Sequence, residues 1–388
     1  MKILFLNYEY PPLGGGAGNA TEYILKEYVH IPNFEVHLVT SSVDGVYHNT
    51  VVGEKIFVHS VPIGKKDREL HHQSIINVLT YAWRGYRYAN KLLKKEEFDA
   101  IHAFFGVPCG LMALCLSKSY GVPYIVSLRG ADVPGFSERF SLLYIFLRPL
   151  IRLVWRRAKF VISNSRKLKE LAFPTAPKQK IGIIYNGVDV DHFKPDSNLR
   201  KQSPRFILTT GASRVTHRKG LRYLIEAVAQ LATEYPNICA KIMGDGNARQ
   251  ELEILVKKLG IEKNVEFLGR IPREQTVPYY QEASIFVLPS LNEGMSNAML
   301  EALACGLPLL ATMTGGTEEL LTDGENGFSV IQKSARDLAE KLKRLMNDEE
   351  LCAHFGQASR RRAETMSWKN VALEYYNLYQ ETIKTYNN

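Results

Sequence analysis

Two glutamates, with seven residues between them, lie in a segment suited to holding a phosphorylated, hydroxyl-rich ligand. The segment runs from Glu293 to Glu301 and follows the apolar run 285–288, which predicts a buried strand. Ser296 or Asn297 can cap a helix, which would place Glu293 on the turn and Glu301 about one turn into the helix. Such a helix N-terminus presents N–H groups and a partial positive charge at the sheet's carboxyl edge, where phosphate binds. Each carboxylate accepts strong hydrogen bonds from hydroxyl groups. Taken alone, either glutamate could equally be an ordinary solvent-exposed residue of a helix.

A second group of residues could neutralise a diphosphate. Arg214 and Lys219 follow the apolar run 206–210, which predicts another strand. A guanidinium fork and a lysine charge at a strand end can stabilise a departing diphosphate without a metal ion. The alternative is an ordinary basic surface turn, of which the neighbouring Arg218 is an example.

Three further features are weaker. Four glycines in residues 14–18 follow the first predicted strand but lack the spacing of a dinucleotide fingerprint. His102 and Arg129 each end a predicted strand, and a single histidine there is more often structural than catalytic. Asp189 and Asp191 form a DxD pattern, which binds a metal ion in some enzymes, but we expect no metal site here.

Taken together, these segments resemble the signature of a known family. Residues 289–319 contain Pro-Ser, Glu-Gly, two glutamates separated by seven residues, Ala-Cys-Gly-Leu-Pro and Thr-Gly-Gly-Thr-Glu-Glu in that order. This string resembles the retaining family 4 glycosyltransferases, which have the GT-B fold of two Rossmann-like domains facing each other across a cleft. The resemblance covers nearly the whole chain.

The resemblance implies a role for each candidate residue. It implies that Glu293 contacts the donor sugar, that Glu301 holds the ribose hydroxyls, and that Arg214 and Lys219 bind the diphosphate. Catalytic roles fall on Glu293, Arg214, Lys219 and His102. Further donor contacts are implied for Gly16, Gly294, Met295, Ser296 and Asn297. Gly15 and Arg129 would face the acceptor, and Arg129 suits an acidic or phosphorylated one. Relatives often carry histidines where this chain has Phe104 and Arg129.

The chain is long enough for two domains. At about 100–200 residues per domain, 388 residues predict two, and short apolar runs alternating with helical periodicity predict an α/β fold in both halves. We expect an acceptor domain over residues 1–195 and a nucleotide-sugar domain over residues 196–368. The resemblance implies that a final helix, residues 369–388, packs back on the first domain.

Composition limits the class of protein and its partners. Five widely spaced cysteines without a CxxC pair argue against a disulfide framework or a zinc site, and no run of 18 apolar residues occurs. We therefore expect a cytoplasmic protein.

The excess positive charge lies in the first half of the chain. Residues 1–200 contain 26 Lys and Arg against 17 Asp and Glu, which accounts for the whole formal charge of +9. Basic and apolar residues interleaved in 65–95 and 139–169 suit an anionic membrane surface on the inner face of the cell membrane, although packed helices with solvated charges are the alternative. No nucleic-acid-binding motif is present.

We therefore expect a metal-independent retaining hexosyltransferase without a cofactor. Its co-substrate would be a UDP- or GDP-sugar, and its acceptor a lipid-linked glycan or polysaccharide precursor. Two alternatives remain: a nucleotide-sugar epimerase of the same fold, and a non-catalytic partner subunit that binds nucleotide sugar.

Overall fold

The computed structural model describes residues 1–64, 73–136, 141–293 and 295–387, without the side chains of 141–143, 145, 197, 201, 202, 212–214 and 387. Its strands are β1 Lys2–Leu6, β2 Glu35–Ser42, β3 His48–Val52, β4 Ile56–Pro62, β5 Ala100–Phe104, β6 Tyr124–Leu128, β7 Phe160–Ser163, β8 Ile181–Ile183, β9 Phe206–Arg214, β10 Ile238–Asp245, β11 Val265–Gly269, β12 Ile285–Leu288, β13 Leu309–Thr312 and β14 Gly327–Val330. Its helices are α1 Gly16–Tyr28, α2 Ile75–Leu93, α3 Cys109–Tyr120, α4 Ser141–Arg157, α5 Arg166–Ala172, α6 Ser197–Gln202, α7 Leu221–Leu231, α8 Arg249–Leu259, α9 Val277–Gln281, α10 Asn297–Ala304, α11 Ala335–Met346, α12 Glu349–Thr365 and α13 Trp368–Asn387.

The chain divides into two compact units. Unit 1 comprises Met1–Asn186 with Trp368–Asn388, and unit 2 comprises Gly187–Ser367. The predicted α/β class is confirmed, because each unit contains a mainly parallel sheet with helical connections. The helices of the described ranges are too short or too polar to cross a lipid bilayer.

The sheet of unit 1 has the order β3-β4-β2-β1-β5-β6-β7-β8, and only the pairing of β3 with β4 is antiparallel. After Lys2, strand β1 is apolar because both of its faces are covered. Leu4 belongs to the core beneath α2, α3 and α4, whereas Ile3 and Phe5 belong to the core beneath α1 and α13. Side chains alternate across a strand, so this single run supports two cores.

The sheet of unit 2 is entirely parallel, with the order β11-β10-β9-β12-β13-β14. The first strand in sequence, β9, lies in the middle, and the order runs outward from it in both directions. This is the doubly wound arrangement, in which ligands bind at the carboxyl ends of the two central strands. In unit 2 those strands are β9 and β12.

The division between the units falls earlier than residue 195, where we expected it. The segment after Asn186 packs within unit 2: the Val188 N–H donates to the Met366 carbonyl oxygen at 2.9 Å, and the Arg360 guanidinium donates to the carbonyls of Val190 and Phe193. Phe193 is fully buried. Polar composition at 186–203 marks a change of unit, but these packing contacts set its position.

The last helix begins at Trp368, which belongs to unit 1. The indole of Trp368 stacks on Tyr23 of α1 at a ring separation of 5.3 Å. Further along α13, Tyr375 and Tyr379 are buried in the core beneath α1. The apolar face of α13 therefore completes the second core of unit 1.

Candidate functional site

The turns after β9 and β12 place a lysine against a glutamate. Lys219 ends a short 3-10 helix, His217–Lys219, and its Nζ lies 2.5 Å from Oε2 of Glu293. Both side chains are largely buried, with exposed fractions of 20% and 15%. The Ser290 hydroxyl donates to the same Glu293 oxygen at 3.3 Å. The structure thus brings together two predicted site residues that are distant in the sequence.

Backbone contacts hold these two turns together. The Leu291 N–H donates to the Arg218 carbonyl oxygen at 2.7 Å, joining the turn after β12 to the turn after β9. Gly220 has a φ of +63° and lies so close to the Pro289 carbonyl that a Cβ atom would overlap it. Glycine is required here both for the left-handed backbone and for the close approach.

Glu301 lies in the second turn of α10 and is buried. The Arg273 Nε donates to one carboxylate oxygen at 2.8 Å, and the Tyr280 hydroxyl donates to the other at 3.0 Å. Burial raises the pKa of Glu301 above its usual value, although the Arg273 charge and both hydrogen bonds oppose this shift. A carboxylate has about four acceptor positions, so two contacts leave acceptor capacity for ligand hydroxyls.

The N-terminus of α10 lies between the two glutamates in sequence. Ser296 is the N-cap, and its hydroxyl accepts from the Met299 N–H at 3.3 Å, which decides between the two predicted caps. Asn297 is the first residue of the helix, and Met295 precedes the cap; both are half-buried. Gly294 lies outside the described residues. This helix end supplies the partial positive charge expected near a phosphate.

Arg214 is the last residue of β9, where its backbone pairs with Asp245 of β10. Its side chain lies outside the described part of the structure, so its predicted contact with a diphosphate stays a prediction. A neighbouring glycine shows how tightly β9 packs there: a Cβ at Gly211 would overlap the Tyr280 hydroxyl and approach the Ala298 Cβ at 2.6 Å. Strand β9 therefore lies directly against α10 and α9.

Two residues of the site were missed by sequence reasoning. Arg273 belongs to a short 3-10 helix before α9, and Tyr280 lies in α9, both outside the motifs of the family signature. Only the fold brings them to Glu301. Their types offered no signal, because an arginine or a tyrosine on a short helix is common at protein surfaces and edges.

In unit 1, the glycine-rich segment forms the turn between β1 and α1. Gly15 is the N-cap residue of α1, and its N–H donates to Glu9 Oε2 at 3.2 Å. Apart from its chain neighbours, no described residue lies within 4 Å of the position where a Cβ of Gly15 would be. Gly16 begins the helix. The turn thus occupies the carboxyl end of the central strand of its own sheet.

His102 is a fully buried residue of β5. Its Nδ1 lies 2.7 Å from the Tyr379 hydroxyl, its Nε2 lies 2.7 Å from the Ser127 hydroxyl, and its ring stacks on Phe104 at 4.0 Å. Burial, assisted by the Arg129 charge, lowers the pKa of His102 well below its usual value. Both ring nitrogens are therefore occupied within unit 1. These contacts are those of a neutral histidine with a structural role, and the catalytic role that the resemblance implies for His102 stays a prediction.

Arg129 follows β6 directly; its backbone N–H donates to Asp132 Oδ1 at 2.9 Å, whereas its guanidinium donates to neutral acceptors. Its Nη1 donates to Asn186 Oδ1 at 3.1 Å, its Nη2 donates to the Tyr375 hydroxyl at 3.4 Å, and its guanidinium lies 5.0 Å from the Phe104 ring centroid. Its Nε is buried and has no acceptor among the residues that the structure describes. The groups that accept from the guanidinium carry no negative charge, so they hold it in place without compensating its charge.

Candidate metal ligands are found away from these residues. Asp189 Oδ1 accepts from the N–H groups of Asp191 and His192, so it stabilises a turn. In the described ranges, one group has metal-ligand spacing: Glu35, His37 and Glu96 of unit 1. Lys2 Nζ lies 2.8 and 2.9 Å from the two carboxylates of that group and compensates their charge.

Comparisons with known proteins agree with this geometry. Residues 14–192 match the family model described as Glycosyltransferase Family 4, and residues 191–362 match the model described as Glycosyl transferases group 1. The chain belongs to the group 1 glycosyltransferases of family 4, with the GT-B fold. It is therefore a glycosyltransferase.

Several relatives match over nearly their full length. An uncharacterized glycosyltransferase of Methanocaldococcus jannaschii is 26% identical, over 98% of each chain. A D-inositol 3-phosphate glycosyltransferase of Streptomyces bingchenggensis is 28% identical, over 99% of this chain and 90% of that protein. Among solved structures, a sucrose-phosphate synthase of Thermosynechococcus elongatus has a TM-score of 0.81 at 19% identity, over 99% of each chain. HepE of Anabaena, solved with UDP-glucose, has a TM-score of 0.73 at 20% identity, over 98% of this chain and all of that one.

Proposed function

We propose that the protein transfers a hexose from a UDP- or GDP-sugar to a glycan or glycolipid acceptor with retention of anomeric configuration. One observation carries the proposal: Lys219, Glu293 and the N-terminus of α10 all follow the carboxyl ends of β9 and β12, the two central strands of the unit 2 sheet. A cation and a helix N-terminus complement a diphosphate, and the two carboxylates complement hydroxyl groups.

In this proposal the donor displaces the contact between Lys219 and Glu293. Lys219, together with Arg214, neutralises the diphosphate, and Glu293 accepts hydrogen bonds from the sugar hydroxyls. Glu301, oriented by Arg273 and Tyr280, accepts those of the ribose. The donor contacts of Lys219 and Glu293 replace the contact that these two residues make to each other, so little desolvation is left uncompensated at this pair.

The reaction breaks the bond between the sugar C1 and the phosphate oxygen and forms a bond from C1 to the acceptor oxygen. The acceptor attacks from the face that the diphosphate leaves, and the departing phosphate takes the acceptor proton. Lys219 and the α10 N-terminus stabilise the charge that develops on the diphosphate. We propose no metal ion for this step, because these groups supply the positive charge.

A UDP-sugar is the donor to test first, since HepE of Anabaena was solved with UDP and with UDP-glucose. For the acceptor we propose an anionic or phosphorylated hydroxyl compound. Several relatives are D-inositol 3-phosphate glycosyltransferases, and within the described ranges the Arg129 guanidinium donates only to neutral acceptors.

A two-stage experiment tests the proposal. A thermal-shift screen of UDP- and GDP-sugars identifies the donor, because a ligand at 100 times its dissociation constant stabilises by about 2.7 kcal/mol. Nucleotide release is then measured with and without a lipid extract, and the anomer of the product is read by NMR. Acceptor-dependent release with retention supports the proposal. Conversion of the sugar without an acceptor would indicate an epimerase, and binding without turnover a non-catalytic partner subunit.

A further inference from the structure

Helix α2 has one continuous exposed stripe with two chemically different halves. Its first half is apolar, with Ile75, Ile76, Leu79 and Trp83 exposed by 52%, 75%, 62% and 58%. Its second half carries the exposed Arg87 and Lys91, and the exposed Lys94 and Lys95 follow it, before Glu96, which pairs with Lys2, and the exposed Glu97. Positions 76, 79, 83, 87, 91 and 94 recur every three or four residues, so they share one side of the helix, with 75 and 95 at its margins.

The opposite side of α2 is bound to the core of unit 1. Tyr81 and Ala89 are fully buried, and the Tyr81 hydroxyl donates to the Val39 carbonyl oxygen at 2.8 Å. Ser74 and Asn77 form a capping box that fixes the start of the helix. Helix α2 is therefore anchored by its buried side, and the apolar residues of the stripe do not contribute to its packing on the core. Single exposed apolar residues are ordinary, but four in one stripe mark an interaction surface.

The charge of the stripe selects the kind of partner. Helix α2 contains Arg84, Arg87 and Lys91 and no acidic residue. The Arg87 guanidinium lies 5.1 Å from the Trp83 ring centroid, so the apolar and basic halves meet there. Beside this junction is a depression of about 780 Å³ lined by Tyr47, Trp83, Arg84, Arg87, Lys91 and Lys94, among others. A second copy of the chain would oppose these cations with more cations, whereas lipid phosphates would neutralise them.

We propose that the exposed stripe of α2 docks on an anionic lipid bilayer. Ile76, Leu79 and Trp83 enter the boundary between headgroups and acyl chains, and Arg87, Lys91 and Lys94 contact headgroup phosphates. From Ile76 to Lys94 the helix extends roughly 27 Å at 1.5 Å per residue, long enough to lie along the surface. Residues 65–72 and 137–140 of the basic segments recognised in the sequence lie outside the described residues and carry none of this proposal.

Trp83 makes the proposal directly measurable. The chain has three tryptophans, and Trp155 and Trp368 are buried with 0% and 3% exposure. Adding vesicles of phosphatidylcholine mixed with phosphatidylglycerol should shift the tryptophan emission to shorter wavelength, and vesicles of phosphatidylcholine alone should not. Trp83→Phe should still sediment with the anionic vesicles but lose the emission shift. Because no donor or acceptor is added, the outcome is independent of the proposed sugar transfer.

Matched variants separate the two halves of the stripe. Ile76→Ser with Leu79→Ser should abolish sedimentation, whereas Ile254→Ser with Ile331→Ser, exposed by 60% and 65% in unit 2, should not. Lys91→Gln with Lys94→Gln should lower the vesicle partition coefficient about 25-fold, since each basic residue contributes about 1 kcal/mol, or about fivefold. Lys257→Gln with Lys258→Gln on α8 is the charge control.

Fold is checked in the same variants. Substitutions on the surface shift stability by about 0.5 kcal/mol or less, so melting temperatures should stay within about 2 °C of the wild type. Equal sedimentation with neutral and anionic vesicles, or equal losses in the α2 and control variants, would overturn the proposal. So would a concentration-dependent dimer in sedimentation velocity that Ile76→Ser with Leu79→Ser removes, because it would assign the stripe to a second copy.

Discussion

The ammonium of Lys219 and a carboxylate oxygen of Glu293 lie 2.5 Å apart, although the two residues follow different strands of the unit 2 sheet. Strands β9 and β12 are neighbours, and the order of the sheet reverses between them. Each residue therefore neutralises the other at the place where the fold provides a crevice for a ligand. Without a ligand the pair limits the cost of burying two charges.

Lys219→Gln should lower kcat/KM for sugar transfer about 10²- to 10³-fold, because it removes a cation from the developing charge of the diphosphate. Steady-state kinetics with the donor found by thermal shift measure this. The control is Lys241→Gln, which removes the Lys241–Glu282 ion pair of the same unit, with a separation of 2.7 Å and similar exposure. Equal losses in both variants would show that Lys219 acts only through stability.

Tyr280→Phe should weaken nucleotide-sugar binding about tenfold and lower the free energy of unfolding by about 1–2 kcal/mol. The buried carboxylate of Glu301 loses one of its two hydrogen-bond donors, and hydrogen bonds to charged groups are worth about 1.5–3 kcal/mol. Isothermal titration calorimetry and denaturant unfolding measure the two effects. Tyr235→Phe, which removes an exposed hydroxyl paired with Asn347, should change neither by more than about 0.5 kcal/mol. An unchanged dissociation constant for Tyr280→Phe would remove Glu301 from the donor site.

Gly220→Ala should reduce both stability and activity, whereas Gly260→Ala should reduce stability alone. Both glycines have positive φ, +63° and +70°, so either alanine should cost about 1–2 kcal/mol in backbone strain. Only at Gly220 would the new Cβ also overlap a carbonyl, that of Pro289, and separate the turns that carry Lys219 and Glu293. Urea unfolding and kcat/KM test this difference. If the two variants behave alike, the close approach at Gly220 has no part in the site.

His102→Asn should flatten the pH dependence of stability below pH 6.5. The pKa of His102 is lowered by burial in the folded protein, whereas in the unfolded chain it is about 6.5. As the pH falls below 6.5, the unfolded state takes up a proton that the folded state does not, so stability decreases by up to about 1.4 kcal/mol per pH unit. Unfolding free energies measured between pH 5 and 7.5 should show this slope in the wild type and a slope smaller by up to about 1.4 kcal/mol per pH unit in the variant. Some slope remains in the variant because burial also lowers the pKa of His59, to about 4.

The control for that measurement is His354→Asn, at an exposed position of α12, which should keep the wild-type slope. A structural role also predicts that kcat per folded His102→Asn molecule falls much less than the 10²- to 10⁴-fold expected for a general acid or base. A loss of that size at pH 7.5 with an unaltered stability slope would restore the catalytic interpretation of His102.

The sequence by itself determined the pattern of buried strands and the residues of the donor motif. Runs such as 285–288 and 206–208 are apolar because both faces of a parallel strand are covered, and that signal is local. Lys219 and Glu293 lie on the turns that follow such runs, and Glu301 lies on the helix after one of them, so their placement near the carboxyl edge of the sheet was predictable. Strands β3, β4, β8 and β14 were not predicted; β3 is exposed and β8 has only three residues, so these two lack the apolar signal.

Only the tertiary structure decided what surrounds each of these residues. The enclosure of Glu301 by Arg273 and Tyr280, the burial of His102 between Ser127 and Tyr379, and the position of the division at Asn186 depend on contacts between residues far apart in the chain. Hydrophobic periodicity records which side of an element is buried but not what lies against it. The sequence therefore determined which groups were available for chemistry, and packing decided which of them remain open to a ligand.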